Sequence, residues 1–166
     1  MIMTQMRAWK LRPGSDEKTL SDALRSGCVR LDYEVPDLRL DMTLGDLIKA
    51  VKKSEPDRSH NGARVRASQL LTLFSKVGKG DLALVPRYKG RSMMIGEILS
   101  ERPNLSGTVV EVQVRWIDSE VPIARFDQDL RYSFMAIHKF CEVSRNNAAQ
   151  RLLRIAHGET DPGYLA

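Results

Sequence analysis

Residues 81–117 read DLALVPRYKGRSMMIGEILSERPNLSGTVVEVQVRWI, and their patterning decides the fold class. Three runs rich in apolar residues, Asp81–Pro86, Ser92–Leu99 and Thr108–Ile117, follow one another across short polar breaks. The third alternates Val109 or Val110, then Val112, Val114 and Trp116, the two-residue period of a half-buried strand. The link Arg87-Tyr88-Lys89-Gly90-Arg91 reads as a basic hairpin tip, with Gly90 available for a positive φ. Successive strands on short links predict antiparallel neighbours.

Upstream the texture is mostly helical. Ala8–Arg12 (AWKLR) reads as a short strand stopped by Pro13-Gly14. Ser15 is placed to cap a helix that carries Leu20, Ala23 and Leu24 on one face and ends at Gly27. Cys28–Glu34 alternates as a second strand, broken at Val35-Pro36-Asp37. Thr43 and Asp46 suit a capping box for a helix striped by Leu44, Leu47, Ile48 and Val51. Ala63, Ala67, Leu70, Leu71 and Phe74 predict a third helix over Ala63–Lys76. Downstream of the quoted stretch, Pro122–Phe134 reads as irregular and Lys139–Val143 as a last strand. A final helix, capped by Asn146 or Asn147, carries Ala149, Leu152, Leu153 and Ala156 before a linker-like tail, GETDPGYLA.

Helices early and sequential strands late do not suit a doubly wound parallel sheet, which alternates throughout. The expectation is an α+β domain with a small curved, mixed or antiparallel barrel-like sheet and flanking helices. The 166 residues, 42% of them hydrophobic, suffice for one core. No apolar run approaches the roughly 18–20 residues of a membrane span, and Met1–Arg7 lacks a secretory apolar stretch, so the expected location is the cytoplasm. Cys28 and Cys141 lie far apart and read as small buried residues rather than as a disulfide or a zinc site.

No catalytic signature emerges, and the expectation is a non-enzyme with no cofactor or metal. GxSxG and GxGxxG are absent, and GKGD at 78–81 lacks P-loop spacing. A metal nuclease needs clustered carboxylates beside a lysine; no lysine follows Glu97 or Glu111 on its strand face, and Asp81 reads as a residue that opens a strand. Asp127 and Asp129 read as turn or cap residues, with Asp129 paired to Arg131 or Arg125. His60, His138 and His157 have no metal spacing and read as surface or structural residues.

What the chain carries instead is aromatic and basic residues near strand ends. The net charge is +5 and the pI about 9.4, which permits contact with a polyanion. Trp9, Tyr33 and Trp116 supply flat rings, and Arg87, Tyr88, Lys89, Arg91 and Arg115 surround strand ends with charge. This is the mixture that holds phosphates and stacks on a base that has left its helix. Asp32, Ser68, Gln69 and Ser92 are candidate polar partners for a base edge. Arg64 and Arg66, with Lys49, Lys52, Lys53 and Arg58, form a second basic set on the middle helices. Each feature has a plainer reading: Trp9 and Trp116 as core, Tyr33 as a partly buried surface tyrosine, RYKGR as a solvated tip. The competing functions are a sensor of a nucleotide or small signalling ligand in the same pocket, a protein-interaction module using the basic helices, and a stand-alone nuclease.

Several stretches together resemble a known family. AWKLRPGSDE, GCVRLDYEVPDL, ASQLLTLFSKVGKGDLALVP, MIGEI and VRWIDSEVPIARFDQDLRYSF are similar, in order and spacing, to the N-terminal domain of Mrr-like bacterial restriction endonucleases, a PUA/EVE-like domain. The resemblance spans residues 7–145, with the Phe74–Asp81 turn, the IGEI strand and the VRW…VP…DLR segment its strongest pieces. It implies a PUA/EVE-like recognition domain over residues 1–145, followed at 146–166 by a helix and linker-like tail. It further implies recognition of nucleic acid, DNA rather than RNA, often of a modified base flipped into an aromatic-lined pocket. Trp9 matches the family's first-strand Trp, Tyr33 stands where the family often has a second Trp, and Gln69 matches the helix position facing the pocket. Cleavage in such proteins belongs to a separate C-terminal domain, so a nuclease or other effector is the implied partner.

Overall fold

The computed structural model describes residues 5–14, 16–134 and 138–163. Among these residues the order is β1 (Ala8–Leu11), α1 (Glu17–Ser26), β2 (Cys28–Asp32), α2 (Leu44–Ser54), α3 (His60–Ser75), β3 (Leu82–Arg87), β4 (Ser92–Ile98), β5 (Asn104–Ser106), β6 (Val109–Pro122), α4 (Gln128–Phe134), β7 (Phe140–Glu142) and α5 (Ala148–Ala156). The strands form one mixed sheet, in the order β2-β6-β4-β3-β1-β7 with β5 beside β6, curled into a half-barrel. β1 and β3 run parallel, and every other pairing is antiparallel.

The helices start where side chains satisfy their first N–H groups. Ser15 lies outside the described residues; Asp16 caps α1, its carboxylate accepting from Thr19 N–H, and Gly27 closes the helix with φ 67°. Thr43 and Asp46 form the expected capping box of α2. α3 begins three residues before the expected Ala63 because Ser59 caps it, and Leu73 rather than Leu71 joins its buried face. Asn147 precedes α5 in the left-handed region and makes no side-chain cap bond, so neither Asn caps that helix as expected. The half-buried Cys28 and Cys141 are more open than the small core residues they were expected to be.

Alternation along the strands divides two cores. On β3, Ala83 and Val85 face α1, α2 and α3, with Trp9, Leu31, Tyr33, Leu47, Leu70 and Phe74. Leu82 and Leu84 face the other side, where α4 and α5 bring Leu130, Phe134, Leu152 and Ile155. The stretch Pro122–Phe134 is therefore ordered structure: β6 runs on to Pro122, a 3-10 turn follows, and α4 packs its Leu130 and Phe134. Apolar packing, invisible to a short-period pattern, makes that difference.

β6 serves both halves of the sheet. Its first part pairs with β2 and β5, and its second with β4, with register shifts between Met93 and Gly96. At Gly96 the strands come so close that a Cβ would lie 2.3 Å from Val114 Cγ1 and 2.9 Å from the Arg115 carbonyl. Only glycine permits that approach.

The segment after residue 145 packs as part of the same body. Arg151, whose side chain is 2% exposed, donates bidentate pairs to Asp129 (2.6 and 2.9 Å) and to the equally buried Asp161 (2.8 and 2.9 Å). Asp129 thus pairs with Arg151 and not with Arg131 or Arg125, because α5 brings that guanidinium to it. Bonds from Arg151 and Asn146 hold the Asp129 carboxyl far below the usual carboxylate range. Burial pushes Asp161 up, but bonds from Arg151, Gly163 N–H and Asp127 N–H outweigh it and leave it low as well. No helix among the described residues is long and apolar enough to cross a membrane.

Two measurements test this frame. Gly96→Ala should destabilise the fold by about 1–3 kcal/mol in denaturant unfolding, and an unchanged midpoint contradicts the close-approach argument. Carboxylates with depressed pKa stabilise the fold above their unfolded pKa of about 4 and lose that contribution as pH falls through the folded values. Arg151→Met should therefore cost about 3–5 kcal/mol at pH 7 by stranding Asp161, with the deficit shrinking toward pH 3. A deficit independent of pH contradicts the assignment.

Candidate functional site

β7 ends the sheet, and α3 lies along its outer side. The space between them is an open groove of about 580 Å³. The helical wall repeats at intervals of three and four: Asn61, Arg64 and Val65, Ser68 and Gln69, Thr72, Lys76. These are the residues α3 turns away from its buried face of Ala63, Ala67, Leu70 and Phe74. The strand wall is His138, Phe140, Cys141 and Glu142.

The strand wall also offers main-chain groups. Arg12 N–H donates to the Lys139 carbonyl and Val143 N–H to the Ala8 carbonyl, so Lys139, Cys141 and Val143 turn their hydrogen-bonding groups toward β1. Antiparallel pairing alternates, so the N–H and C=O of Phe140 and Glu142 point to the open edge. The groove thus combines exposed cations at Arg64 and Lys76, side-chain amide and hydroxyl groups at Gln69, Ser68 and Thr72, and unpaired main-chain donors and acceptors.

Phe140 is fixed from beneath. Its ring stacks on Trp9 at 5.3 Å between centroids and 13° between planes. Trp9 is fixed in turn: its indole N–H donates 2.8 Å to Asp81, which also accepts from Arg7 N–H and Gly78 N–H. Asp81, which opens β3, is a three-bond anchor for the first strand.

Tyr33 lies just beyond β2, fully buried. Its hydroxyl donates to Gln69 Oε1 (3.3 Å), and its carbonyl accepts from Arg66 (2.7 Å). The Arg66 guanidinium and Lys139 ammonium both lie over its ring, 5.2 and 5.3 Å from the centroid. Burial raises the Tyr33 phenol well above its ordinary value, with Arg66 opposing. Burial lowers Lys139, and the neighbouring Arg66 charge adds to that. Lys139 also donates to the Asp32 carbonyl, while the Asp32 side chain accepts from Thr108 and from Glu34 N–H.

The expected site residues therefore fall in separate places. Arg64, Ser68 and Gln69 line the groove, and Tyr33, Asp32 and Arg66 form a network joined to it through Gln69. Trp9 lies under Phe140. Neither Trp9 nor Tyr33 has surface open to a ligand, so the space for a base between these two rings is closed in this structure. Trp116 is elsewhere, its indole N–H donating 3.1 Å to the Ala23 carbonyl of α1, and Arg115 pairs with Glu97. Arg87, Tyr88, Lys89 and Arg91 occupy the β3–β4 hairpin, with Ser92 buried at its root. Phe140, Glu142, Thr72 and Lys76 were not singled out from sequence. The polar stripe of α3 was legible at helical spacing, whereas the pairing of that stripe with β7 depends on a contact between distant segments.

No protein-family model matches this chain, and no curated protein matches it.

Proposed function

We propose that this chain is a nucleic-acid-binding recognition module of PUA/EVE-like type, reading a modified base in DNA for an effector on another domain or chain. The observation that carries the reading is the groove between α3 and β7, where exposed cations and amide and hydroxyl groups of the helix face the free main-chain edge of the strand. A base edge needs donors and acceptors together, and its phosphates need Lys or Arg beside them. The groove volume lies within the ~300–1,000 Å³ of small-molecule sites, ample for one extruded nucleotide. The exposed Val65 adds apolar surface for a methyl group. The curled half-barrel with flanking helices supports the family reading at the level of architecture. In this account Trp9 and Tyr33 act from behind, Trp9 by holding Phe140 and Tyr33 by holding Gln69.

Anisotropy titrations with matched unmodified, 5-methylcytosine and 5-hydroxymethylcytosine duplexes at two salt concentrations test it. Arg64→Ala and Lys76→Ala should each weaken all duplexes alike and lower the salt slope by about 1. Glu142→Pro removes one outward N–H without touching the β1 pairing, and Glu142→Ala keeps it. Discrimination between duplexes should fall for the proline variant alone. Wild-type protein that binds no duplex, but is stabilised thermally by free nucleotides, turns the reading to a ligand sensor.

A further inference from the structure

The β3–β4 hairpin, none of whose residues lines the α3–β7 groove, holds a second arrangement of ring and charge. Its turn is left-handed at three successive residues: Tyr88 (φ 53°), Lys89 (φ 57°) and Gly90 (φ 82°). Two hydrogen bonds close it, Gly90 N–H to the Arg87 carbonyl (3.1 Å) and Arg91 N–H to the Tyr88 carbonyl (3.2 Å). Such a turn favours Asn-Gly, because a side chain crowds the backbone at positive φ. A tyrosine and a lysine there are costly, and strain of this kind gathers where a side chain must be presented in a set direction. Arg87 Nε and Ser92 Oγ, on cross-strand partners at the root of the hairpin, are buried and bond to no protein atom. The corner thus carries several unfavourable features that folding alone does not require.

The presented group is the Tyr88 ring, 38% exposed. The Arg87 guanidinium lies over it at 4.7 Å from the centroid. Arg87 donates to Glu17 of α1 at 2.6 Å, so the guanidinium over the ring is itself anchored to a helix. Lys89 and Arg91 stand exposed beside the ring, and Arg91 is tied back to the Tyr88 carbonyl.

We infer that Tyr88 is a preorganised stacking platform for an unpaired nucleobase, with Lys89 and Arg91 holding the flanking phosphates. The inference rests on the nucleic-acid reading above and adds a second contact to it. A planar cation behind the ring and phosphate-binding cations beside it suit a base free of its duplex partner, the chemistry by which single strands are held without sequence preference. The helix-anchored guanidinium fixes the ring before the base arrives, so little freedom is lost on binding.

The test uses the full chain and a DNA duplex carrying one mispaired 2-aminopurine, whose fluorescence reports stacking. Tyr88→Asn keeps a residue that tolerates positive φ and removes the ring. It should hold or raise the thermal midpoint, weaken binding about tenfold and abolish the fluorescence quench. Tyr88→Phe should retain affinity and quench, so a folding defect in the Asn variant leaves the ring's role measurable. Wild-type binding that is unchanged in folded Tyr88→Asn overturns the platform and leaves the groove reading standing. Loss of binding in Arg64→Ala with Tyr88→Asn unaffected does the same. A wild-type chain that binds no DNA overturns both.

Discussion

The close approach of β4 to β6 at Gly96 is the constraint on which the rest depends. β6 is shared between β2 and β5 along its first part and β4 along its second, and the β4–β6 register shifts on the way to Gly96. The missing Cβ lets Val114 and the Arg115 carbonyl reach the neighbouring strand. With the sheet curled, one face receives α1, α2 and α3 and the other receives α4 and α5, so alternate residues of each central strand feed different cores. The helix α3 is then carried to the open edge of β7, and the groove exists because of that placement.

The site is built from its underside. Asp81 holds the Trp9 indole, Trp9 stacks on Phe140, and Phe140 forms part of the strand wall. Tyr33 holds Gln69 by its hydroxyl while Arg66 and Lys139 lie over its ring. The two cations repel one another, and the nearby carboxylates of Asp32, Glu34 and Glu55 offset that repulsion at Lys139. A ring packed among cations and buried donors is a support, whereas exposed side chains and main-chain groups on an unpaired edge are free to engage a ligand. Direct contact therefore passes to α3 and β7.

Much of the frame was legible in the sequence. Valine alternation located β6, the capping box at Thr43 and Asp46 located α2, and RYKGR between two apolar runs located the hairpin. Local signals misplaced what long-range contacts decide. α4 is short and held by Phe126, Leu130 and the second core, so no helical period of its own announced it. Asp129 pairs with Arg151, 22 residues away, while nearer arginines were the only partners sequence proximity suggested. For the site, helix spacing put Arg64, Ser68 and Gln69 on one polar stripe. Nothing in KFCEV shows that β7 ends the sheet, and edge position is what gives Phe140 and Glu142 free main-chain groups. Trp9 and Tyr33 were identifiable as aromatic strand-end residues, but their burial depends on Phe140, Arg66 and Lys139 closing over them.

The most direct test is a map of backbone amide chemical shifts as a short oligonucleotide containing one extruded, modified base is added to the protein. The account predicts that the largest changes run along residues 61–76, in and just after α3, and 138–142, in and just before β7, with Phe140 and Glu142 among them. Changes confined to other surfaces, or none at concentrations where binding is saturated, contradict the assignment of this groove as the place where a nucleotide is read.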